Sequence, residues 1–282
     1  MKRRIITIAL IVAFLGGLGL LLYPTVSNWW NAHHQSRAVA SYMGDVAKID
    51  DDQYERIWSD ARAYNAELAT KELNFNLTDE QLEEYNSLLD VTGTGVMAFI
   101  DIPAVNVTLP IYHGTDEAVL QIAIGHIAGT SLPVGGPSTH CVVSGHRGLP
   151  SAKLFTDIDK LVVGDYFTLN VLDEVLTYEV DQIRIVLPYE LEDLQIEEGK
   201  DYCTLVTCTP YGINTHRLLV RGRRIETKAD AHVVRITADA LQVDTKLVAI
   251  FIAAPLLLLF GIGAIVTSNI RGRRKRRTGR EA

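Results

Sequence analysis

Cysteine is scarce in this chain of 282 residues: there are three, Cys141, Cys203 and Cys208. So few exclude a fold stapled by several disulfides, and no grouping of Cys and His has the spacing of a zinc site. Proline is missing altogether between Pro24 and Pro103, where the sequence is polar and helix-like in its spacing. No glycine-rich phosphate loop and no EF-hand pattern occurs. The residues therefore call for no metal and no cofactor. Internal repeats are absent too, and the one biased segment is a basic tail.

Charge is missing from two long stretches. Ile5 to Tyr23 is a run of 19 residues without a charge, directly behind Met1-Lys2-Arg3-Arg4. Leu247 to Ser268 is a second run, of 22. Each is long enough to cross a bilayer. A cleaved signal peptide has a shorter apolar core and a small-x-small site close behind it. Here the only such triplet, Ala38-Val39-Ala40, lies too far downstream. The first run thus reads as an uncleaved anchor. Pro255 inside the second is tolerable, because neighbouring groups in a transmembrane helix satisfy the freed carbonyl. Seven basic residues follow it, from Arg271 to Arg280. With basic clusters outside both runs, the positive-inside rule predicts a two-pass protein of the cell membrane with both termini cytoplasmic. Pro24 to Lys246 is then extracellular.

That outer segment is acidic. Ten of the 27 basic residues lie at the two ends and only Glu281 of the 34 acidic ones does, which leaves 17 against 33. Such a surface repels nucleic acid phosphates, and no nucleic-acid partner is expected.

Between Asn31 and Asp90, Val46, Ile49, Tyr54, Ile57, Tyr64 and Leu68 recur at roughly helical spacing. Thr78 or Asp79 then caps a helix whose first turn is acidic. From Gly93 the texture changes to short β-rich runs between turns. Strands are expected over Val96 to Asp101, Val107 to Ile111, His140 to Ser144, Tyr166 to Val171, Leu176 to Ile185, Tyr202 to Thr207 and Ile213 to Val220. Gln121 to His126 reads as a short helix. Regularly spaced short strands imply a mainly β, closed or nearly closed barrel.

Two stretches carry chemistry. Tyr202 to Arg224 reads YCTLVTCTPYGINTHRLLVRGRR, a strand, a turn and a second strand. Cys208 sits where the first strand ends, and Arg217 on the second can return beside it. His140 to Pro150 reads HCVVSGHRGLP, an apolar strand running into Gly145 with His146 emerging beyond it. Taken singly, a strand-end Cys is more often a small buried hydrophobe, and each of the eight His more often structural or exposed. His216 neighbours Arg217 but points to the opposite face of its strand.

Thr204-Leu205-Val206-Thr207-Cys208 matches the TLxTC signature of sortases, the cysteine transpeptidases of Gram-positive cell surfaces. The continuation CTPYGINTHRLLVRGRR resembles the class C, pilin-polymerising branch, and GHRGLP resembles the family's His motif. The resemblance covers about Gly93 to Glu226. It implies a sortase-type β-barrel and three catalytic roles, for His146, Cys208 and Arg217. It also implies that the His and Cys strands are parallel neighbours, which would bring Cys141 near Cys203. A disulfide there is permitted outside the cell, and two buried thiols are the alternative.

The implied chemistry uses each residue type. A thiolate attacks, helped by a nearby imidazole or guanidinium. A permanently charged Arg stabilises the oxyanion, and an imidazolium protonates the departing amine. A Cys–His pair alone also describes a protease; the motifs point instead to an amine acceptor. The implied partners are pilin subunits or surface proteins bearing an LPxTG-like signal, with a pilin lysine amine as acceptor. Two alternatives stay open: a housekeeping sortase using a cell-wall precursor amine, and a wall-anchored surface protein. The latter needs an LPxTG-like motif before the second apolar run, and Thr237 to Lys246 has none. Class C relatives often carry a lid with an Asp-Pro-aromatic motif; without Pro it is absent here in that form, and a cover such as Leu73 to Thr78 is left open.

The expected plan is therefore a cytoplasmic start (1–4), an anchor (5–23) and a helical extension or lid (24–92). The catalytic barrel (93–226), a linker (227–246), a second transmembrane helix (247–268) and a cytoplasmic basic tail (269–282) complete it.

Overall fold

The computed structural model describes residues 2–227. The linker, the second apolar run and the basic tail, with the two-pass topology that rests on them, lie outside the described residues.

Helix α1 (Lys2–Val46) runs without a break from the apolar stretch into the polar extension, with Pro24 inside it. By length and composition it can cross a membrane, and its apolar N-terminal side chains stand exposed. Past Tyr23 the helix docks on the barrel. Val39 and Tyr42 are fully buried against Val96 and Phe99, at about 1.5–3 kcal/mol for a large apolar side chain so buried. The Tyr42 hydroxyl donates to the Met97 carbonyl at 3.0 Å and accepts from the Leu172 N–H at 2.7 Å. Helix α2 (Asp51–Leu68) starts where Asp50 accepts from the Gln53 N–H, and buries Trp58, Ala61 and Asn65. The Asn65 amide makes both bonds to the Leu132 backbone, at 3.1 and 2.7 Å. Helix α3 (Asp79–Ser87) begins with a reciprocal capping box between Thr78 and Gln81, the start its sequence predicts.

Eight strands then close into a barrel: β1 (Val96–Ile102), β2 (Val107–His113), β3 (Ile124–His126), β4 (Thr139–Ser144), β5 (Tyr166–Val171), β6 (Glu174–Val186), β7 (Asp201–Thr209) and β8 (His216–Ile225). Their order around the barrel is β1-β2-β3-β4-β7-β8-β6-β5, closed by β1 pairing β5. The β2–β3 and β4–β7 pairs are parallel; the rest are antiparallel.

Two local readings change. The expected helix over Gln121–His126 is instead a short turn after α4 (Glu117–Leu120) that runs into β3. Strand β3 fills the gap between β2 and β4, and this tertiary pairing overrides the local pattern. Strand β8 begins at His216 rather than Ile213, because Asn214 takes a left-handed φ of 62° and Ile213 points to solvent, 67% exposed.

Side chains alternate through the barrel wall with period two. Cys141, Val143, Cys203, Leu205, Leu218 and Val220 point into the main core, while Val142, Val206 and Leu219 belong to a second cluster on the outside.

Candidate active site

Cys208 is the penultimate residue of β7 and Arg217 the second of β8, and the antiparallel ladder makes them direct partners. Both share the outer face with Val206 and Leu219, the neighbouring pair in the same ladder. Cys208 is partly exposed at the sheet rim. Arg217 Nη1 donates to the carbonyls of Asn214 at 3.3 Å and His216 at 3.1 Å. The turn thus holds the guanidinium at the mouth of the ladder.

His146 follows the end of β4. The regular β4–β7 pairing stops at Ser144 and Val206, yet its spacing of 62 residues continues. Thr207 Oγ1 donates to the Gly145 carbonyl at 2.7 Å, and Arg147 Nη1 donates to Thr209 Oγ1 at 3.3 Å. The same register therefore sets His146, two residues past the end of β4, beside Cys208 along the strand direction. Gly145 makes this path possible: a Cβ there would lie 2.7 Å from Ile124 Cγ2 and 2.8 Å from the Phe155 ring. The structure so brings all three predicted residues to one end of one strip.

Other residues at this end were not legible beforehand. Glu117 on α4 places Oε2 3.8 Å from His146 Nε2, within ion-pair range and beyond hydrogen-bond distance. Arg147 pairs with Asp159 and lies over the Tyr211 ring, 5.9 Å from its centroid. A Cβ on Gly148, at a φ of +77°, would meet the same ring at 2.8 Å. The turn after His146 and the turn after Cys208 therefore interlock.

The strip that leads to Cys208 is covered. Leu73 and Phe75, between α2 and α3, pack on Val142, Val206, Leu219, Val186 and Leu194. Gly129, with φ +89°, lets them pass; a Cβ there would be 2.2 Å from the Asn74 carbonyl oxygen. A cover therefore exists, built of residues other than an Asp-Pro-aromatic motif.

His140, Cys141 and Cys203 lie in the interior. His140 is 1% exposed; its Nδ1 lies 2.8 Å from the Gln195 carbonyl and its Nε2 2.7 Å from Thr204 Oγ1. Nδ1–H donating and Nε2 accepting satisfies both bonds in the neutral ring, and burial lowers its pKa. Cys141 and Cys203 are ladder partners inside the barrel, present as thiols, and burial holds Cys203 well above the ordinary thiol value. No group of three or more His, Cys, Asp or Glu among the described residues is placed to hold a metal ion.

A family model described as the sortase domain matches residues 100–225. The structure is similar to sortase C1 of Streptococcus agalactiae, at 53% identity and a TM-score of 0.67, over 68% of this chain and all of that one. The chain belongs to the sortase family. Sortase C of Streptococcus pneumoniae is also similar to it, with 44% identity and a TM-score of 0.62 over 68% of this chain and 98% of the other. Sortase A of Bacillus anthracis shares 26% identity over 81% of this chain and 98% of its own length. This sortase is a class C cysteine transpeptidase, and its barrel is the sortase fold.

Proposed function

We propose that this sortase is held to the membrane by α1 and assembles pili, cutting an LPxTG-like signal and joining the acyl group to a pilin lysine. The observation that carries the reading is the ladder pairing of Cys208 with Arg217, with His146 abreast of both. Pilin specificity is also the subject of the work on the similar S. pneumoniae sortase C.

In the first half-reaction the Cys208 thiolate attacks the carbonyl carbon of the scissile Thr–Gly bond. Arg217 stabilises the oxyanion that forms. The His146 imidazolium then protonates the leaving glycine amine, and a thioester remains on Cys208. In the second half the lysine amine attacks that thioester, gives a proton to the His146 imidazole, and releases Cys208 as thiolate. Atoms and protons balance over the two halves, so no cofactor enters.

Burial supports the division of roles. Cys203, on the same strand, is fully buried on the opposite face and out of reach of substrate. The test is to incubate the protein with an LPxTG peptide and candidate pilins, and to map the adducts by mass spectrometry. A thioester on Cys208 and an isopeptide bond to a pilin lysine are expected. Transfer to a cell-wall precursor amine instead would make it a housekeeping enzyme.

A further inference from the structure

Helix α1 leaves the apolar run at Tyr23, and three polar side chains on its next turns reach the catalytic domain. Asn28 Oδ1 accepts from the Lys153 N–H at 2.8 Å. Asn31 Nδ2 donates to the Ser151 carbonyl at 2.8 Å, and Gln35 Nε2 donates to the Ile122 carbonyl at 2.6 Å. Steps of three and four residues place them on one helix face.

Their targets flank His146. Ser151 and Lys153 form the far edge of the loop that begins at His146. The base of that loop is closed where the Phe155 N–H donates to the His146 carbonyl at 3.1 Å and the Gly148 N–H donates to Thr156 Oγ1 at 3.1 Å. Ile122 follows α4, whose Glu117 faces the imidazole. One helix face thus grips both segments around the catalytic His.

At 1.5 Å of rise per residue, Asn28, Asn31 and Gln35 lie about 7.5, 12 and 18 Å beyond Tyr23, from the outer edge of the lipid headgroups outward. Trp29 and Trp30 are exposed at the level of Asn28, where interfacial aromatics settle. Resting on the reading of a membrane-held transpeptidase, we propose that Asn28 and Asn31 are positioning residues that fasten the His146 loop to the membrane helix, with Gln35 fastening the segment behind α4. The catalytic mouth is thereby held just outside the headgroup layer. A signal lying just outside a substrate's own apolar tail emerges at that height.

The test uses the full chain in phosphatidylcholine–phosphatidylglycerol vesicles and follows thioester formation with an LPxTG peptide. Asn28 acts as an acceptor and Asn31 as a donor, so carboxylates should separate them. Asn28→Asp keeps kcat within about twofold. Asn28→Leu, Asn31→Leu and Asn31→Asp each lower kcat about tenfold with KM unchanged, the scale of a sub-ångström misplacement. A mere packing role predicts the same response to aspartate at both positions, and that result would overturn the proposal. A second readout is independent of turnover. A fluorophore on Ser151→Cys, in a Cys208→Ala background with the other thiols buried, is quenched by a headgroup-bound quencher. The Asn28→Leu/Asn31→Leu pair should at least halve that quenching, and unchanged quenching counts against the clamp. A wild-type chain that forms no thioester, or that alkaline carbonate strips from vesicles, instead overturns the function reading itself.

Discussion

The inner and outer faces of the strip made by β4, β7 and β8 come from alternate residues of the same strands. Inside, Cys141, Val143, Cys203, Leu205, Leu218 and Val220 are at most 4% exposed. Outside, Val142, Val206 and Leu219 form an apolar track that ends at Cys208 and Arg217, with Leu73 and Phe75 laid along it. Cys203 and Cys208 make the contrast sharpest. They share a strand, but an odd offset sends one into the core and the other to the rim. Position, not residue type, decides which thiol can react.

The largest test of that contrast is Cys208→Ala, which should abolish the thioester with an LPxTG peptide and leave thermal unfolding unchanged. Cys203→Ala should do the reverse, keeping the thioester while costing on the order of 1 kcal/mol of stability for the lost buried atom. Leu205→Ala, wholly inside, should cost about 2–5 kcal/mol in denaturant unfolding. Normal stability in that variant would mean the inner face is not the core described.

Next come the residues beside Cys208. His146→Ala and Arg217→Ala should each lower kcat/KM at least ~100-fold, the scale of losing an acid–base or oxyanion group, with no change in melting. Near-normal turnover in either would remove it from the mechanism. A smaller effect is expected at the cover. Leu73→Ala/Phe75→Ala should speed modification of Cys208 by a small thiol reagent, but less than tenfold, or about 1.4 kcal/mol. A jump well beyond that would make the cover a strong plug.

The smallest effect is acid sensitivity. Burial depresses the pKa of His140 and of His113, so the unfolded chain takes up their protons first. Stability should therefore fall as pH drops below the ordinary His value of about 6.5. Comparing melts at pH 7.5 and 5.5, His140→Gln should show a shallower loss than the wild type. An unchanged slope would relieve His140 of that role.

Much of this was legible in the sequence, for identifiable reasons. Strand edges at Val96, Val107 and Tyr166 follow β-rich runs between turns, and the Thr78 cap follows a local motif with its own hydrogen bonds. Cys208, His146 and Arg217 sat in recognisable stretches; the β7–β8 ladder pairs Cys208 with Arg217, and the Thr207–Gly145 bond holds the chain at His146 beside them. What escaped depends on partners far along the chain. Strand β3 is only three residues long and owes its form to β2 and β4. Glu117 carries no local sign that it faces His146. Leu73 and Phe75 look like any two apolar residues until Gly129, remote in sequence, makes room for the backbone between them. The grip of Asn28 and Asn31 on the His146 loop joins residues more than a hundred positions apart.

Because Cys208 and Arg217 face each other across a ladder, their separation belongs to the strands and not to the turn that joins them. Residues 210–213 are therefore a splice rather than a hinge. Gly212 and Ile213 are both exposed, and the bond from Arg217 to Asn214 and the pairing of β7 with β8 lie to either side of the peptide between them. A chain rearranged to begin at Ile213 would carry Arg217 near one end and Cys208 near the other, brought face to face by the pairing of β7 with β8.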